Sequence, residues 1–220
     1  MAEKYGTIPK KFTKEWFEYV WMYYKYHILG AGFVIMCIVV TAYQVSTRVE
    51  YDTEVIYGGY TYIPDEKSEL INEELTKLAE DLNGDGQSIA NMQKMILSGE
   101  PGQEQMDYAI QTKLDLQFQV GESFLMIYDG RERDFMFKRG DEDYIYLPVS
   151  EWAPDVPADK LFSYNGVAYG VSLKDSTVFK NAGLESDDFY LFMRLNNAKD
   201  SEENKKIYES TKEFARKMIN

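Results

Sequence analysis

Between Lys25 and Arg48 the chain carries 22 residues without a formal charge, Tyr26 to Thr47. As a helix rising about 1.5 Å per residue they extend roughly 33 Å, close to the ~30 Å hydrocarbon layer of a bilayer. The rest of the chain is too polar to lie in lipid. This one segment therefore sets the organisation. Residues 1–25 form an aromatic-rich segment at the membrane interface, 26–47 a transmembrane helix, and 48–220 an outer domain.

The most apolar part, Ile28–Val40, reads ILGAGFVIMCIVV. Thirteen residues also fit the apolar core of a signal peptide, and Val40-Thr41-Ala42 fits a small-residue cleavage site. Two features favour an uncleaved anchor. Tyr43, Gln44, Val45, Ser46 and Thr47 extend the uncharged stretch to spanning length. Phe12, Trp16, Phe17, Tyr19, Trp21, Tyr23, Tyr24 and Tyr26 form an interfacial aromatic belt before it. Cys37 is the only cysteine, and Met36 precedes it where a lipoprotein needs a small residue. It reads as an apolar-like thiol in the span. No intrachain disulfide can form, so the outer domain must be held by its own core.

Lys4, Lys10, Lys11, Lys14 and Lys25 precede the span, whereas only Arg48 and Lys67 follow it closely. The excess of lysine before the span predicts a cytoplasmic N-terminus and an extracellular C-terminal domain at the cell membrane. Residues 49–220 hold 18 basic and 34 acidic side chains, a net charge of −16. Such a domain is repelled by anionic headgroups and by nucleic acid, and its charge favours cations as partners.

The outer 172 residues have the size of one ordinary domain. Strand and helix signals alternate along them. Thr53–Tyr60, rich in β-branched and aromatic residues, predicts a strand. Asp65 is placed to cap a helix whose apolar face is Leu70, Ile71, Leu75, Leu78, Ala79 and Leu82. Ile89–Leu97 predicts a strand. Gln103–Val120 predicts a helix with Met106, Ala109, Ile110, Leu114 and Phe118 on one side. Phe124–Tyr128, FLMIY, predicts a buried strand. The order implies parallel crossovers, hence an α/β domain with a mainly parallel sheet flanked by helices. Beyond it come a short helix at Glu132–Lys138 and a short strand at Tyr144–Leu147. A hairpin turns at Asn165-Gly166, and a strand follows at Phe189–Leu195. Asp200-Ser201 caps a last helix with Ile207, Thr211, Phe214, Met218 and Ile219 on its core face.

Trp16–Gly30, WFEYVWMYYKYHILG, followed by one span and STRVEYDTEVIY, resembles a group of short single-pass membrane proteins of Gram-positive anaerobes. Their outer part is similar to a reduced extracellular solute-binding protein of the periplasmic-binding class. DLNGDG (Asp81–Gly86), Met106–Asp129 and NGVAYGVSL (Asn165–Leu173) carry that likeness, with Ser172 where the family usually has proline. The resemblance implies one lobe of a solute-binding fold, since a full protein of that class has two. It bears on fold more than on function.

The sharpest local motif is Asp81-Leu82-Asn83-Gly84-Asp85-Gly86, the first half of an EF-hand-type loop. Asp81, Asn83, Asp85 and the Gln87 carbonyl are candidate ligands of a structural calcium. The second half departs from the pattern, with Ile89 and Met92 at the ninth and twelfth positions. The alternative is a polar loop shaped by Asn and Gly.

Histidine chemistry is excluded from the outer domain, because His27 is the only histidine and falls at the edge of the span. No catalytic triad, histidine-based zinc site or P-loop can be assembled there. The acidic run Asp141–Asp143 reads as a solvated loop. Tyr57, Tyr60, Tyr62 and Tyr128 are predicted at strand carboxyl ends, where open α/β sheets bind ligands. They are candidate residues for stacking on a small solute or peptide, or else packing residues of the sheet. The sequence thus points to a non-enzymatic, membrane-anchored binding module, an accessory or sensor. The alternatives are a structural subunit of an envelope membrane complex, docked by Thr13–Tyr26, and a carboxylate-dependent extracytoplasmic hydrolase.

Overall fold

The computed structural model describes residues 9–47, 49–120, 123–140, 145–196 and 202–220, with backbone alone at 118–120 and 202–203. Lys4, Arg48, Asp141–Asp143, Tyr144 and the Asp200-Ser201 cap lie outside the described residues, as does the side chain of Phe118. The chain divides into two units, Met1–Val49 and Glu50–Asn220.

The first unit is built on α1, Lys14–Ser46, an unbroken helix of 33 residues. Thr13 starts it by accepting the Trp16 N–H at 3.3 Å. Thr47 ends it, its hydroxyl donating to the Tyr43 carbonyl at 2.8 Å. The aromatic segment and the apolar segment are therefore one rod, about 50 Å long at helical rise. None of its residues is buried. By length and composition it qualifies as a membrane anchor or a signal sequence.

The second unit is an α/β domain on a six-stranded sheet. The strands are β1 Thr53–Gly59, β2 Ala90–Ile96, β3 Leu125–Asp129, β4 Leu161–Tyr164, β5 Val167–Ser172 and β6 Phe189–Met193. They lie in the order β2-β1-β3-β6-β5-β4. β1 pairs in parallel with both β2 and β3, while β3–β6, β6–β5 and β5–β4 are antiparallel. The sheet is thus mixed rather than mainly parallel. Its parallel half comes from two helical crossovers, α2 (Asp65–Thr76) and α3 (Glu104–Val120). Its antiparallel half follows from the β4–β5 hairpin, whose turn places Asn165 and Gly166 at positive φ (49° and 84°). Those are the angles a two-residue hairpin turn requires.

Alternation along the strands produces two core layers. Val55, Tyr57, Leu125, Ile127, Leu191 and Met193 face one side. There they are covered by α2, α5 (Val149–Trp152), α6 (Thr177–Asn181) and α7 (Glu202–Met218). Ile56, Met126, Tyr128 and Phe192 face the other side with Leu114 of α3 and Met136 and Phe137 of α4 (Gly130–Phe137). On α7, Thr211, Phe214, Met218 and Ile219 are buried as the periodicity predicts.

Several local expectations are corrected. Pro64, not Asp65, occupies the cap of α2, and Asp65 joins the first turn, where its charge suits the helix dipole. Leu70 is exposed. α3 is rotated from its predicted face: Leu114 is buried and Ile110 partly so, but Met106 and Ala109 face out. Asp107 and Gln111 are half-buried instead, Asp107 accepting the Ser98 and Gly99 N–H groups and Gln111 reaching the Met136 sulfur at 3.5 Å. Tyr146 contributes only a single bridge to Arg194 rather than a strand.

Candidate functional site

The carboxyl ends of β1, β2 and β3 lie side by side. From β1 the chain runs to α2 on one face, and from β3 to α4 on the other. Such divergence marks the ligand crevice of open α/β sheets. Here an aspartate fills it. Asp129, the last residue of β3, is 3% exposed. Its Oδ2 accepts the N–H groups of Tyr60 (2.6 Å) and Thr61 (2.7 Å) and the Thr61 hydroxyl (3.0 Å). Its Oδ1 accepts the Glu132 N–H at 3.0 Å and so caps α4. Gly59 makes room: a Cβ there would stand 2.7 Å from both the Asp129 carboxyl carbon and the Tyr57 hydroxyl.

The four candidate tyrosines are not gathered into one cleft. Tyr57 and Tyr128 are fully buried, in opposite core layers. Tyr57 donates to the Thr61 carbonyl at 2.9 Å. Burial, reinforced by the Asp129 charge, pushes its hydroxyl well above the ordinary range, so it remains a donor. Tyr128 receives a hydrogen bond from the Tyr146 hydroxyl at 3.2 Å. Tyr62 is 68% exposed and lines an open groove of about 430 Å³ with Lys94, Ile110 and Lys113. Tyr60 alone of the four stands half-buried at the strand ends, with the Arg131 guanidinium 3.6 Å above its ring.

The carboxylate of Glu132, one residue beyond Arg131, is completely buried, and neither oxygen has a hydrogen-bond partner among the described residues. Burial pushes it up to about 7; the nearby Gln111 amide opposes the rise without closing a hydrogen bond, and Asp129 adds to it.

The loop after α2 is a chain of side-chain turns. Asp81 accepts the N–H groups of Gly84 (2.6 Å) and Gly86 (3.0 Å), Asn83 that of Asp85 (2.9 Å), and Asp85 that of Gln87 (2.7 Å). Asp52 clamps the loop from the start of β1, accepting from Leu82 (2.8 Å), Asn83 (3.2 Å) and Ile89 (2.8 Å). Among the described residues no three His, Cys, Asp or Glu side chains are grouped to hold a metal ion.

The sequence reading does not single out Asp52, Asp129, Arg131 or Glu132. For two of them a signal existed. Asp129-x-x-Glu132 after an apolar strand has capping-box spacing. The aspartate caps as that motif requires, while the glutamate is turned into the core instead of back to the cap. Compared with protein-family models, curated proteins and solved structures, the chain matches none.

Proposed function

We propose that the chain is a single-pass membrane protein, N-terminus cytoplasmic, that holds a non-enzymatic binding module of solute-binding type at the outer face of the cell membrane. The observation that carries this reading is α1: 33 helical residues, an apolar stretch long enough to span, and no residue buried. An apolar helix with no buried residue is best accommodated by lipid. Lys10, Lys11, Lys14 and Lys25 on its N-terminal side support the orientation. In the second unit, the divergence of β1 and β3 supports a ligand face at their carboxyl ends.

Alkaline carbonate extraction tests the anchor: an integral protein stays in the pellet, and release with a shortened N-terminus identifies a cleaved signal. Ser163→Cys, exposed on β4, tests orientation in a Cys37→Ser background. A membrane-impermeant maleimide labels it on intact cells; labelling only after lysis reverses the topology. Retention of a solute or peptide by the detergent-solubilised full chain tests the binding module.

A second reading draws on the first half of α1. Phe17, Trp21 and Tyr24 expose about half of their surface, and Trp16–Phe17 and Tyr19–Tyr23 form ring pairs. Such a face suits a partner helix in an envelope complex. Cross-linking from Trp21 to another membrane protein, lost on Trp21→Ala, distinguishes it.

A further inference from the structure

We propose that Arg131 is a recognition residue for a carboxylate, and that the ligand taken at the β1–β2–β3 carboxyl ends carries one. The inference rests on the binding-module reading and names the chemistry of its ligand. Residues 49–220 carry a net charge of −16, so acids able to pair with a cation are abundant there. Arginines in this domain are accordingly engaged. Arg133 bonds Asp134, Arg139 bonds Asp115, Arg194 bonds the Ser123 carbonyl and Arg216 the Trp152 carbonyl. Arg131 alone among the described arginines has neither an ion pair nor a hydrogen bond, and it is exposed.

Its lack of an acid partner does not leave it loose. The guanidinium lies 3.6 Å over the Tyr60 ring. Gly99, at the end of β2 with φ +65°, closes the stack from the side. A Cβ there would come 2.5 Å from Arg131 Nη1 and 2.9 Å from Tyr60 Cδ1. The loop bearing Gly99 is fixed in turn: Ser98 and Gly99 each donate an N–H to Asp107 at 2.7 Å. Asp129 fixes the Tyr60 backbone. Three strand ends thus contribute one element each to a held, planar cation whose N–H donors are unused. A planar fork matches a carboxylate in a bidentate pair, and the aromatic beneath it limits the entropy lost on binding. The acidic surroundings favour a singly charged anion over a dianion, which selects carboxylate over phosphate.

The test uses the uniformly ¹⁵N-labelled full-length chain in detergent micelles, read at the arginine Nε–H signals. Arg131→Lys identifies the Arg131 signal by its loss. The probes are N-acetylphenylalanine, its uncharged amide, and inorganic phosphate, each titrated to about 20 mM at constant ionic strength. The Arg131 signal is expected to shift saturably with the acid, not with the amide, and more weakly with phosphate. Followed by backbone amides, Arg131→Lys should weaken the acid by about tenfold, since a point charge replaces a fork. Equal responses to acid and amide, or no saturable shift, overturn the inference. A saturable shift of other residues with Arg131 unmoved also overturns it, but leaves the binding-module reading standing.

Discussion

Replacing Glu132 by glutamine is expected to stabilise the outer domain at about pH 8 and to leave it nearly unchanged at about pH 5. The reason is the burial of an acid without a partner. Both Glu132 oxygens are sealed from solvent and accept no hydrogen bond from the described residues. An ionised carboxylate in that position loses its hydration and gains nothing in return. Moving the carboxyl from 4.5 to about 7 makes the ionised folded state cost about 3 kcal/mol relative to an exposed carboxylate. The sign follows from proton counts. An unfolded chain releases this proton near 4.5, the folded domain near 7, so between those values the folded state holds more protons. Stability is therefore full below 4.5, falls as pH rises through 7, and is level above it. Three carboxylates held low by lysines do not mask the effect. Asp65 held low by Lys94, Glu80 by Lys217 and Asp175 by Lys160 all change only below the ordinary carboxylate range.

Glutamine keeps the shape of the protonated acid and cannot ionise. Urea unfolding of the full-length chain in non-ionic detergent, followed by near-ultraviolet circular dichroism, should show wild type losing about 2–3 kcal/mol between about pH 5 and pH 8. The Glu132→Gln variant should stay flat and exceed wild type at the higher pH by a midpoint of about 1 M urea. A flat wild-type profile, or a variant weaker than wild type at both values, refutes the reasoning. A flat profile means that the folded domain holds the ionised carboxylate as well as water does, and a variant weaker at both values means that the site does not accept the amide.

Asp129→Asn should cost about 2–4 kcal/mol by the same assay, because in either orientation the amide turns a donor toward N–H groups the carboxylate accepts, those of Tyr60 and Thr61 or that of Glu132. Asp52→Ala removes the acceptor of three backbone N–H groups. It should cost about 1–3 kcal/mol and speed hydrogen exchange at Leu82, Asn83 and Ile89 while β3 stays protected. Calcium held by Asp81, Asn83, Asp85 and Gln87 must raise the urea midpoint in millimolar calcium relative to chelator; an unchanged midpoint ends that reading.

Element types were largely legible because their signals are local. The uncharged run, the apolar FLMIY segment and the Asn165-Gly166 turn each need only a few neighbouring residues to be read. Sheet composition was not legible in the same way. β6 enters between β3 and β5 and runs antiparallel to both, and nothing in FYLFM states its direction. Helix faces were read correctly where apolar residues make one stripe, as on α7. They were misread on α3, which carries two. Met106 and Ala109 extend one apolar stripe, yet the domain buries the line containing Asp107, Gln111 and Leu114. Asp107 must reach the Ser98 and Gly99 N–H groups, and Gly58 admits the Leu114 side chain: a Cβ there would lie only 3.0 Å from it.

The strand-end tyrosines show the same limit at the site. Alternation sends Tyr57 and Tyr128 into opposite core layers, because the side-chain period of a strand is two and their partners in register differ by one. Tyr60 escapes burial because it follows the Gly58-Gly59 pair, where β1 ends. What makes Tyr60 a candidate for binding is therefore not its type but what arrives beside it from elsewhere in the chain. Arg131 comes from 71 positions along, and Gly99 from 39. Neither residue stands out in its own segment. Gly99 reads as an ordinary turn glycine and Arg131 as one charge in GRERD. Only the parallel pairing of β1 with β2 and β3 places their carboxyl ends together and leaves one guanidinium stacked and, among the described residues, without an acid. A chemistry that depends on three separate strand ends becomes visible only when the register of the sheet is known.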